Sequence, residues 1–254
     1  MYQMSDMKEQ IVNHRSIRKY QSKPIPDDVL HQILEAGCRA SNTGNMQVYS
    51  MVVTKDETLR QQLWEVHFRQ NMVVQAPVLI TFCADINRFN KWCRARNAEP
   101  AYNNLLWFCN AAIDATLASQ NVALAAESCG LGICYLGTTI YNANRIIDIL
   151  KLPEGVVPIT TLVIGYPDEQ PPLTGRLPLE AVIHNETYHD YTNEDIDRLY
   201  AELEATEQTR QLLEINKKET LAQVFTDNRY TKKDNEAVSG AYLEVMKRQG
   251  LSIP

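Results

Sequence analysis

The sequence predicts a layered domain of the α+β or α/β type, in which helices cover a central sheet. Apolar runs rich in β-branched residues predict strands at residues 49–54, 78–83 and 160–165, with a shorter turn and strand at 132–137. Helical stretches separate these strands, and the longest covers residues 103–128. This alternation indicates a sheet with helices packed on its faces.

Local residue patterns predict the other helices. Short helices are predicted over residues 8–13 and 56–66. After Pro26, Asp27 and Asp28 place acidic side chains in the first turn of another helix. Apolar residues follow there at helical spacing, namely Val29, Leu30, Ile33 and Leu34.

Three residues mark later boundaries. Gly130 is expected to end the longest helix, because glycine readily takes the left-handed backbone found at helix ends. Asn142 is a candidate cap for a helix over residues 143–150. Pro158 is expected to lie just before the last strand.

The character of the chain changes at about Thr192. Charged helical sequence runs to residue 218, and a final helix is predicted at 232–249. The apolar stripes of these helices are too thin for an independent core. We therefore predict a main domain, residues 1–190, and a helical extension, 191–254. The extension is interpreted as an arm packed on the main domain or on a partner subunit, with a flexible tail as the alternative.

The composition is that of an ordinary soluble globular protein, with 44% hydrophobic and 22% charged residues. A net charge of -6 gives no electrostatic reason to expect nucleic-acid binding. The six cysteines form no C-x-x-C pair and are expected to be reduced thiols. The amino terminus lacks the apolar core of a signal peptide, and polar residues interrupt the most apolar stretch, 105–126. These observations predict a cytoplasmic protein with no membrane partner.

Common catalytic motifs are missing. The sequence has no H-E-x-x-H, no P-loop, no G-x-S-x-G and no clustered Cys/His ligands. A metallohydrolase, an NTPase and a serine hydrolase therefore have no support, and neither a metal site nor a catalytic side chain is predicted. Any chemistry is expected to come from a cofactor.

The first candidate segment contains His14, Arg15, Ser16 and Arg18. Two guanidinium groups and a hydroxyl within four residues can converge on a tetrahedral dianion, because arginine offers planar bidentate donors to phosphate oxygens. A solvated basic turn is the alternative. Arg176, much later in the chain, gains meaning only if a phosphate lies nearby.

Two further segments carry glycine beside polar groups. The loop at residues 41–47 has amide and hydroxyl side chains that can hydrogen-bond the edge of a ring, although such residues are common in any loop. The segment 130–138 ends in Gly137 and Thr138, where unpaired backbone N–H groups could donate to a flat ring. Its glycine spacing is not G-x-G-x-x-G, which excludes a Rossmann interpretation. A helix cap followed by an edge strand is the alternative there.

Taken in order, these segments resemble the nitroreductase family of flavoproteins. Residues 15–18 match R-[ST]-x-R, and residues 40–49 match a loop like A-P-S-x-x-N-x-Q-P-W. Ala76-Pro77 opens a strand as in the family, and residues 130–137 match G-L-G-x-x-x-[IL]-G. Residues 176–184 resemble the larger flavin-reductase branch. The similarity covers about residues 10–188.

The resemblance implies a nitroreductase-like fold, with a central, mainly antiparallel sheet and an intertwined homodimer that binds FMN at the subunit interface. Residues 1–190 would form the FMN-binding domain. The residues implied to bind FMN are His14, Arg15, Ser16, Arg18, Ser41, Asn42, Asn45, Gln47, Gln70, Asn71, Tyr135, Leu136, Gly137, Thr138 and Arg176.

The implied roles differ along the chain. Residues 14–18, joined by Arg176, would bind the FMN phosphate, while residues 41–47 would reach the flavin of the partner subunit. Gln70 or Asn71 would touch the pyrimidine edge, and residues 135–138 would flank the ring, with a backbone N–H near N5.

Departures from the family pattern include three that bear on flavin binding. Thr174 stands where the larger branch commonly has a lysine, so Arg176 alone supplies charge in the late loop. Ser41 and Tyr49 replace the usual proline and tryptophan of the polar loop. These changes affect how tightly FMN is expected to bind and whether the chain belongs to the larger flavin-reductase branch of the family.

The function implied is an FMN-dependent oxidoreductase that passes electrons from NAD(P)H by a ping-pong mechanism to a small electrophilic acceptor, such as a nitroaromatic, a quinone or a flavin. Arg229 is a candidate contact for a nicotinamide phosphate. The alternatives are a flavin carrier or redox-sensing module without efficient turnover, and an interaction protein that keeps the fold without a cofactor.

Overall fold

The computed structural model describes residues 6–253, which form two units by their internal contacts. The first unit comprises the residues up to Pro172 together with those from Gly240 on, and the second is Leu173–Ser239. The second unit is therefore inserted in the chain of the first. The sequence analysis divides the chain differently, into an FMN-binding domain up to residue 190 and a helical extension from residue 191. That division stays a prediction.

The first unit contains a four-stranded antiparallel sheet. Its strands are β1 (Tyr49–Thr54), β2 (Val78–Asp85), β3 (Gly132–Leu136) and β4 (Val156–Gly165). Their order in the sheet is β1-β2-β4-β3, and every neighbouring pair is antiparallel. The predicted central, antiparallel sheet is confirmed.

The sheet has both faces covered because its two central strands alternate between two apolar clusters. Ile80 and Phe82 of β2 face one side, packing with helix α2 (Asp27–Cys38) and helix α6 (Leu105–Ser128). Leu79, the residue before Ile80, packs on the other face. Helix α3 (Glu57–Val66) and helix α8 (Ala143–Leu150) cover that face.

Local sequence explains where α6 begins and ends. The Asn104 side chain accepts a hydrogen bond from the backbone N–H of Trp107, which satisfies a donor in the first turn. At the other end, Gly130 has a φ of +73°, and its N–H and that of Leu131 bond to carbonyl groups in the last turn. The predicted end of this helix at Gly130 is confirmed.

One predicted strand boundary and one predicted side-chain cap are wrong. Pro158 lies inside β4 rather than before it, at a bulge where Ile159 is the extra residue opposite Phe82 and Cys83. A proline is tolerated there because the ladder hydrogen bonds are interrupted. Asn142 precedes α8 without a side-chain capping bond, and its amide instead donates to the carbonyl oxygen of Val66 at 2.6 Å.

The remaining helices of the first unit are short. They are α1 (Asp6–Val12), a 3-10 turn (Thr43–Asn45), α4 (Met72–Gln75), α5 (Asn87–Arg94) and α7 (Thr138–Tyr141). Val245 and Met246, near the end of the chain, are buried in the same apolar cluster as Ala143 and Ile147 of α8. The last residues of the chain thus belong to the core of the first unit.

The second unit is helical. Its elements are a 3-10 turn (Leu179–Ala181), α9 (Asn193–Glu204), α10 (Glu207–Asn216), α11 (Leu221–Gln223), a π-helical turn (Val224–Arg229) and the first part of α12 (Lys232–Arg248). Capping boxes at Thr192 and Thr220 begin α9 and α11.

Within residues 6–253, helices that combine the length and the apolar character needed to cross a bilayer are absent.

Candidate functional site

The first arginine motif is docked against the edge strand β3. The backbone N–H of Ile17 donates to the carbonyl oxygen of Ile133 at 2.9 Å, and Ser16 forms a parallel bridge with Ile133. The Tyr20 hydroxyl donates to the carbonyl oxygen of Ile17 at 2.6 Å and fixes the following turn. Two predicted motifs that are far apart in the sequence therefore lie side by side.

Gly132 makes this docking possible. A Cβ at Gly132 would stand 2.6 Å from Cγ1 and 2.8 Å from Cβ of Ile17, which is too close for real atoms. This glycine is therefore required by protein packing. The sequence-based interpretation, in which the glycines of this segment expose backbone to a ring, does not account for it.

A cleft of about 480 Å³ opens beside the docked segment. It is lined by His14, Arg15, Glu127, Gly130 and Glu169, among others. Ser16 and Arg18 are not among the described residues that line it. Arg18 is exposed, and its guanidinium donates to the carbonyl oxygen of Ser16 at 3.4 Å.

Arg15 is the cationic group best placed to hold an anion in this cleft. Its Nη1 donates to the carbonyl oxygen of Asn13 at 3.0 Å, while its Nε is buried and has no hydrogen-bond partner in the described chain. An unpaired buried donor is unusual, because it loses its hydration without a replacement. A phosphate oxygen is the kind of acceptor that would satisfy it.

Two carboxylates also line the cleft, and both are engaged. Glu127 Oε1 lies 2.5 Å from Nδ1 of His14. Glu169 Oε1 accepts from the backbone N–H groups of Arg18 at 2.6 Å and Lys19 at 3.1 Å. The site therefore combines cationic groups with acids that orient the arginine segment.

The far end of β3 leaves backbone open to solvent. Gly137 is exposed and has φ −61° and ψ −18°, which any residue can adopt. A Cβ at this position would meet no described atom within 4 Å. Neither the backbone conformation nor the packing of the protein requires glycine here. A flat group lying against the backbone would require it, because a side chain would keep that group away.

The two residues before Gly137 are directed elsewhere. Leu136 is buried in the apolar cluster beneath the sheet. The Tyr135 hydroxyl donates to Oγ of Ser119 on α6 at 3.1 Å, and burial raises its pKa. Any contact of these residues with a ring at Gly137 would therefore use backbone rather than side-chain polar atoms.

His67 joins this end of β3 to the segment that contains Gln70. Nδ1 of His67 lies 2.7 Å from Oγ1 of Thr138, and the Gln70 amide donates to the His67 carbonyl oxygen at 3.0 Å. Burial lowers the pKa of His67 to about 4, so the ring is neutral at physiological pH. Asn71, the N-cap of α4, is exposed.

The polar loop at residues 41–47 is anchored to α6 through Asp114. This buried carboxylate accepts from the backbone N–H of Thr43 at 2.8 Å, from its hydroxyl at 3.1 Å, and from the N–H of Val48 at 3.3 Å. Asn45 and Gln47 both have positive φ, at 56° and 53°, which the anchored loop holds in place.

Within the loop, the Asn42 side chain accepts from the N–H of Gln47 at 3.3 Å, and the Gln47 amide donates to the carbonyl oxygen of Asn45 at 3.3 Å. Ser41 and Asn45 are exposed. The described hydrogen bonds of this loop lead to its own residues, to the preceding Ala40, to α5 and to α6. None of them connects it to Arg15 or Gly137.

Comparison with known proteins decides the family. Residues 11–166 match the model of the Nitroreductase family. The chain belongs to the nitroreductase family. It is accordingly an oxidoreductase, and the predicted family, fold class and enzymatic character are confirmed.

Individual relatives span nearly the whole chain. An NADPH-dependent oxidoreductase of Staphylococcus aureus is 34% identical over 230 residues, which are 85% of this chain and 90% of that protein. A Bacteroides fragilis structure named as an oxidoreductase has a TM-score of 0.94 and 55% identity, covering 95% of this chain and 98% of its own. The NADPH:FMN oxidoreductase of Vibrio harveyi, complexed with NAD+, has a TM-score of 0.79 and 28% identity, with coverage of 95% and 98%.

This nitroreductase-family chain carries its late arginine in the second unit. Arg176 is exposed, and its guanidinium donates to the carbonyl oxygens of Thr174 at 3.2 Å and Gly175 at 3.1 Å. Its assignment to a phosphate stays a prediction. Among the described residues, clusters of His, Cys, Asp and Glu able to hold a metal ion are absent.

Sequence reasoning missed Asp114 and His67. Asp114 was visible only as a charge that interrupts an apolar helix, and a charge at such a position is a signal for a buried polar anchor. His67 follows the predicted helical stretch at residues 56–66, where a packed or exposed histidine is the ordinary expectation. Its partner, Thr138, lies 71 residues away, so no local pattern marked the pair.

We expect Asp114→Asn to destabilise this nitroreductase by roughly 1–3 kcal/mol, because an amide can accept from one side only and leaves a buried N–H of the loop unpaired. Urea unfolding followed by circular dichroism measures the change. Asp197→Asn, on an exposed carboxylate of α9, is the matched control and is expected to stay within about 0.5 kcal/mol of wild type. Equal stability of the two variants would show that Asp114 does not anchor the loop.

Proposed function

We propose that the chain is an FMN-dependent NAD(P)H oxidoreductase that reduces a small electrophilic acceptor by a ping-pong mechanism. One observation carries the proposal. The strand β3 has the partly unpaired guanidinium of Arg15 near its first residue and the open backbone of Gly137 just after its last. A nucleotide with an anionic tail and a flat ring needs those two features at the two ends of one site.

The residues present fit FMN by their chemistry. Arg15 offers an unsatisfied donor and a positive charge to a phosphate, and His14 lines the same cleft. At Gly137, the missing side chain lets a ring approach the backbone. Ser16, Arg18, Gln70, Asn71 and Arg176 are proposed as further contacts, as the family resemblance implies.

The relatives support the choice of donor. The S. aureus relative is named as NADPH-dependent, and the V. harveyi structure is an NADPH:FMN oxidoreductase complexed with NAD+. We extend NAD(P)H and FMN from those proteins to this chain. Their names leave the natural acceptor open, and nitroaromatics, quinones and flavins suit an open stacking site.

The flavin, when bound, supplies the hydride-accepting and electron-donating chemistry. The chain's own residues then bind and orient. Arg15 holds the anionic tail, Gly137 lets the ring lie flat, and Thr138 presents a donor at the ring edge. No side chain is needed as a nucleophile. Donor and acceptor would occupy the same open face of the ring in turn, and this alternation gives ping-pong kinetics.

We further propose a homodimer in which the polar loop serves the partner's site. An apolar stripe of α6 is exposed, with Leu106 at 65%, Ile113 at 55% and Leu117 at 42% of full accessibility. These residues share one face of the helix, and exposed apolar side chains grouped in this way favour burial against a second copy. The loop residues then assigned across the interface are Ser41, Asn42, Asn45 and Gln47.

A flavin carrier or redox sensor without efficient turnover is the second candidate. Two features of the late loop favour this second candidate. Thr174 leaves the loop with Arg176 as its one positive charge for a phosphate, and Arg176 is exposed to solvent. The two candidates differ in what a nicotinamide does to the bound flavin.

We expect the purified protein to bind FMN and the flavin absorbance to bleach within seconds of anaerobic mixing with NADH or NADPH. Stopped-flow absorbance with each nicotinamide measures this, and a panel of nitroaromatics, quinones and flavins then tests reoxidation. Bound flavin that neither nicotinamide reduces would favour the carrier. A protein that cannot be loaded with FMN would overturn the proposal.

We expect Arg15→Ala to weaken FMN binding by roughly 2–4 kcal/mol, because a charge-assisted bond to a partly buried phosphate is lost. Fluorescence titration of the flavin-free protein with FMN measures the Kd. Arg39→Ala, on an exposed arginine paired with Glu35, is the control and should retain the wild-type affinity. Riboflavin, which has no phosphate, should bind both variants equally. Equal FMN affinity of the two variants would place the phosphate elsewhere.

We expect Gly137→Ala to raise stability while it weakens FMN binding. Alanine fits the αR backbone there and restricts the unfolded chain, which stabilises by about 0.4–1 kcal/mol. Gly240→Ala, on α12 with equally open surroundings, should gain a similar stability with no loss of affinity. Thermal unfolding and FMN titration measure the two effects. If Gly137→Ala keeps wild-type affinity, no ring lies against this backbone.

A further inference from the structure

His67 is completely buried at the end of α3, yet one side of its ring is bonded and the other is not. Nδ1 lies 2.7 Å from Oγ1 of Thr138. Nε2 is buried and has no hydrogen-bond partner among the residues described. The chemistry of this asymmetry decides which way the Thr138 hydroxyl points.

The neutral imidazole carries its single hydrogen on one of the two nitrogens. If the hydrogen were on Nε2, a buried N–H would have no acceptor, and the Thr138 hydroxyl would have to donate to Nδ1. If it is on Nδ1, the ring donates to Thr138 and only a lone pair on Nε2 is left unsatisfied. Among buried backbone groups, orphaned N–H donors are rarer than unsatisfied acceptors. Applied to the two ring nitrogens, the same preference favours the hydrogen on Nδ1.

With the hydrogen on Nδ1, the Thr138 oxygen accepts from His67 and its own hydrogen must be donated elsewhere. Thr138 is half-buried and directly follows Gly137, whose surroundings are open. The adjacent threonine shows the contrast. Thr139 is fully buried, and its hydroxyl is bonded to the Leu136 carbonyl oxygen at 2.9 Å and to Oγ1 of Thr161 at 3.1 Å.

The chain around His67 is shaped to keep the ring in place. Phe68 and Arg69 both have a φ of +55°, a left-handed conformation that is unfavourable for residues with side chains. The carbonyl oxygen of Val66 accepts from Asn142, and that of His67 accepts from Gln70. The unfavourable backbone after His67 and the hydrogen bonds on both sides of it fix the position of the ring. Such strain is typical of functional sites.

We propose that His67 is a positioning residue, which donates from Nδ1 to Thr138 and so turns the Thr138 hydroxyl to donate into the open space beside Gly137. This inference rests on the proposed function, since the group that accepts the hydrogen bond there would be the edge of the bound flavin ring. A donor at that edge binds the electron-rich reduced ring more tightly than the oxidised ring. The pair would therefore raise the midpoint potential of the bound flavin.

The decisive measurement is the midpoint potential of the FMN-loaded protein in Thr138→Val and His67→Phe. Each variant is expected to lose about tenfold in the affinity for reduced relative to oxidised flavin, the size of one hydrogen bond. Tenfold corresponds to a potential lower by about 30 mV for a two-electron couple. Because both changes act through one hydroxyl, the double variant should be no lower than either single variant.

Conservative variants separate positioning from a structural role. Thr138→Ser keeps the hydroxyl, and His67→Asn keeps a short N–H donor, so both should restore most of the wild-type potential. Thr139→Val, which breaks a buried hydrogen bond one residue away, should lower the thermal midpoint of unfolding and leave the potential unchanged. Thermal unfolding of every variant accompanies the potentials.

A second readout tests the tautomer without any turnover. Nitrogen-15 NMR of the His67 ring should show Nδ1 protonated and Nε2 bare, and a hydrogen on Nε2 would overturn the inference. If wild type binds FMN but Thr138→Val and His67→Phe keep its potential, the inference fails while the proposed function stands. If wild type binds no FMN, the proposed function itself fails, and the flavin part of the inference fails with it.

Discussion

The pairing of residues 16 and 17 with β3 is the contact on which the site depends. A single backbone hydrogen bond, from Ile17 to Ile133, sets the register between the arginine motif and the strand. Gly132 is its steric condition, because any side chain there would push Ile17 away. The arginine motif is therefore positioned by a strand whose last residue is followed directly by Gly137. The two ends cannot shift independently.

Buried polar groups repeat this logic for the loops around the site. Asp114 ties the polar loop to α6, and His67 ties the end of α3 to Thr138. Each bond reaches from a buried side chain to the first residue of a short helical segment, the 3-10 turn that begins at Thr43 and the helix α7 that begins at Thr138. Buried polar bonds of this kind specify one arrangement, because breaking them leaves an unsatisfied group in a low dielectric. The segments proposed to serve the site are thereby held by side chains of the core.

The extent to which the sequence predicted this structure follows from the range of its signals. β1 was predicted residue for residue, because an apolar run rich in β-branched residues is a local pattern. Pro158 was placed wrongly because a bulge depends on the partner strand, β2. His67 contacts Thr138, 71 positions along the chain, and Asp114 contacts Thr43 and Val48, which are 71 and 66 positions away. A single sequence does not reveal such distant pairs. The same limit applies to Gly132, whose small size is explained only by Ile17.

The insertion of Leu173–Ser239 has a consequence for how such a chain can change over time. Since the final residues return to pack beside α8, the inserted helices are tethered at both ends to one folded body. Lineages can lengthen, shorten or recompose the tethered stretch without rebuilding the sheet, whereas deleting everything beyond it would open the hydrophobic interior around Val245 and Met246. The strand β3, which begins at Gly132 and ends just before Gly137, lies outside that stretch and does not depend on its length.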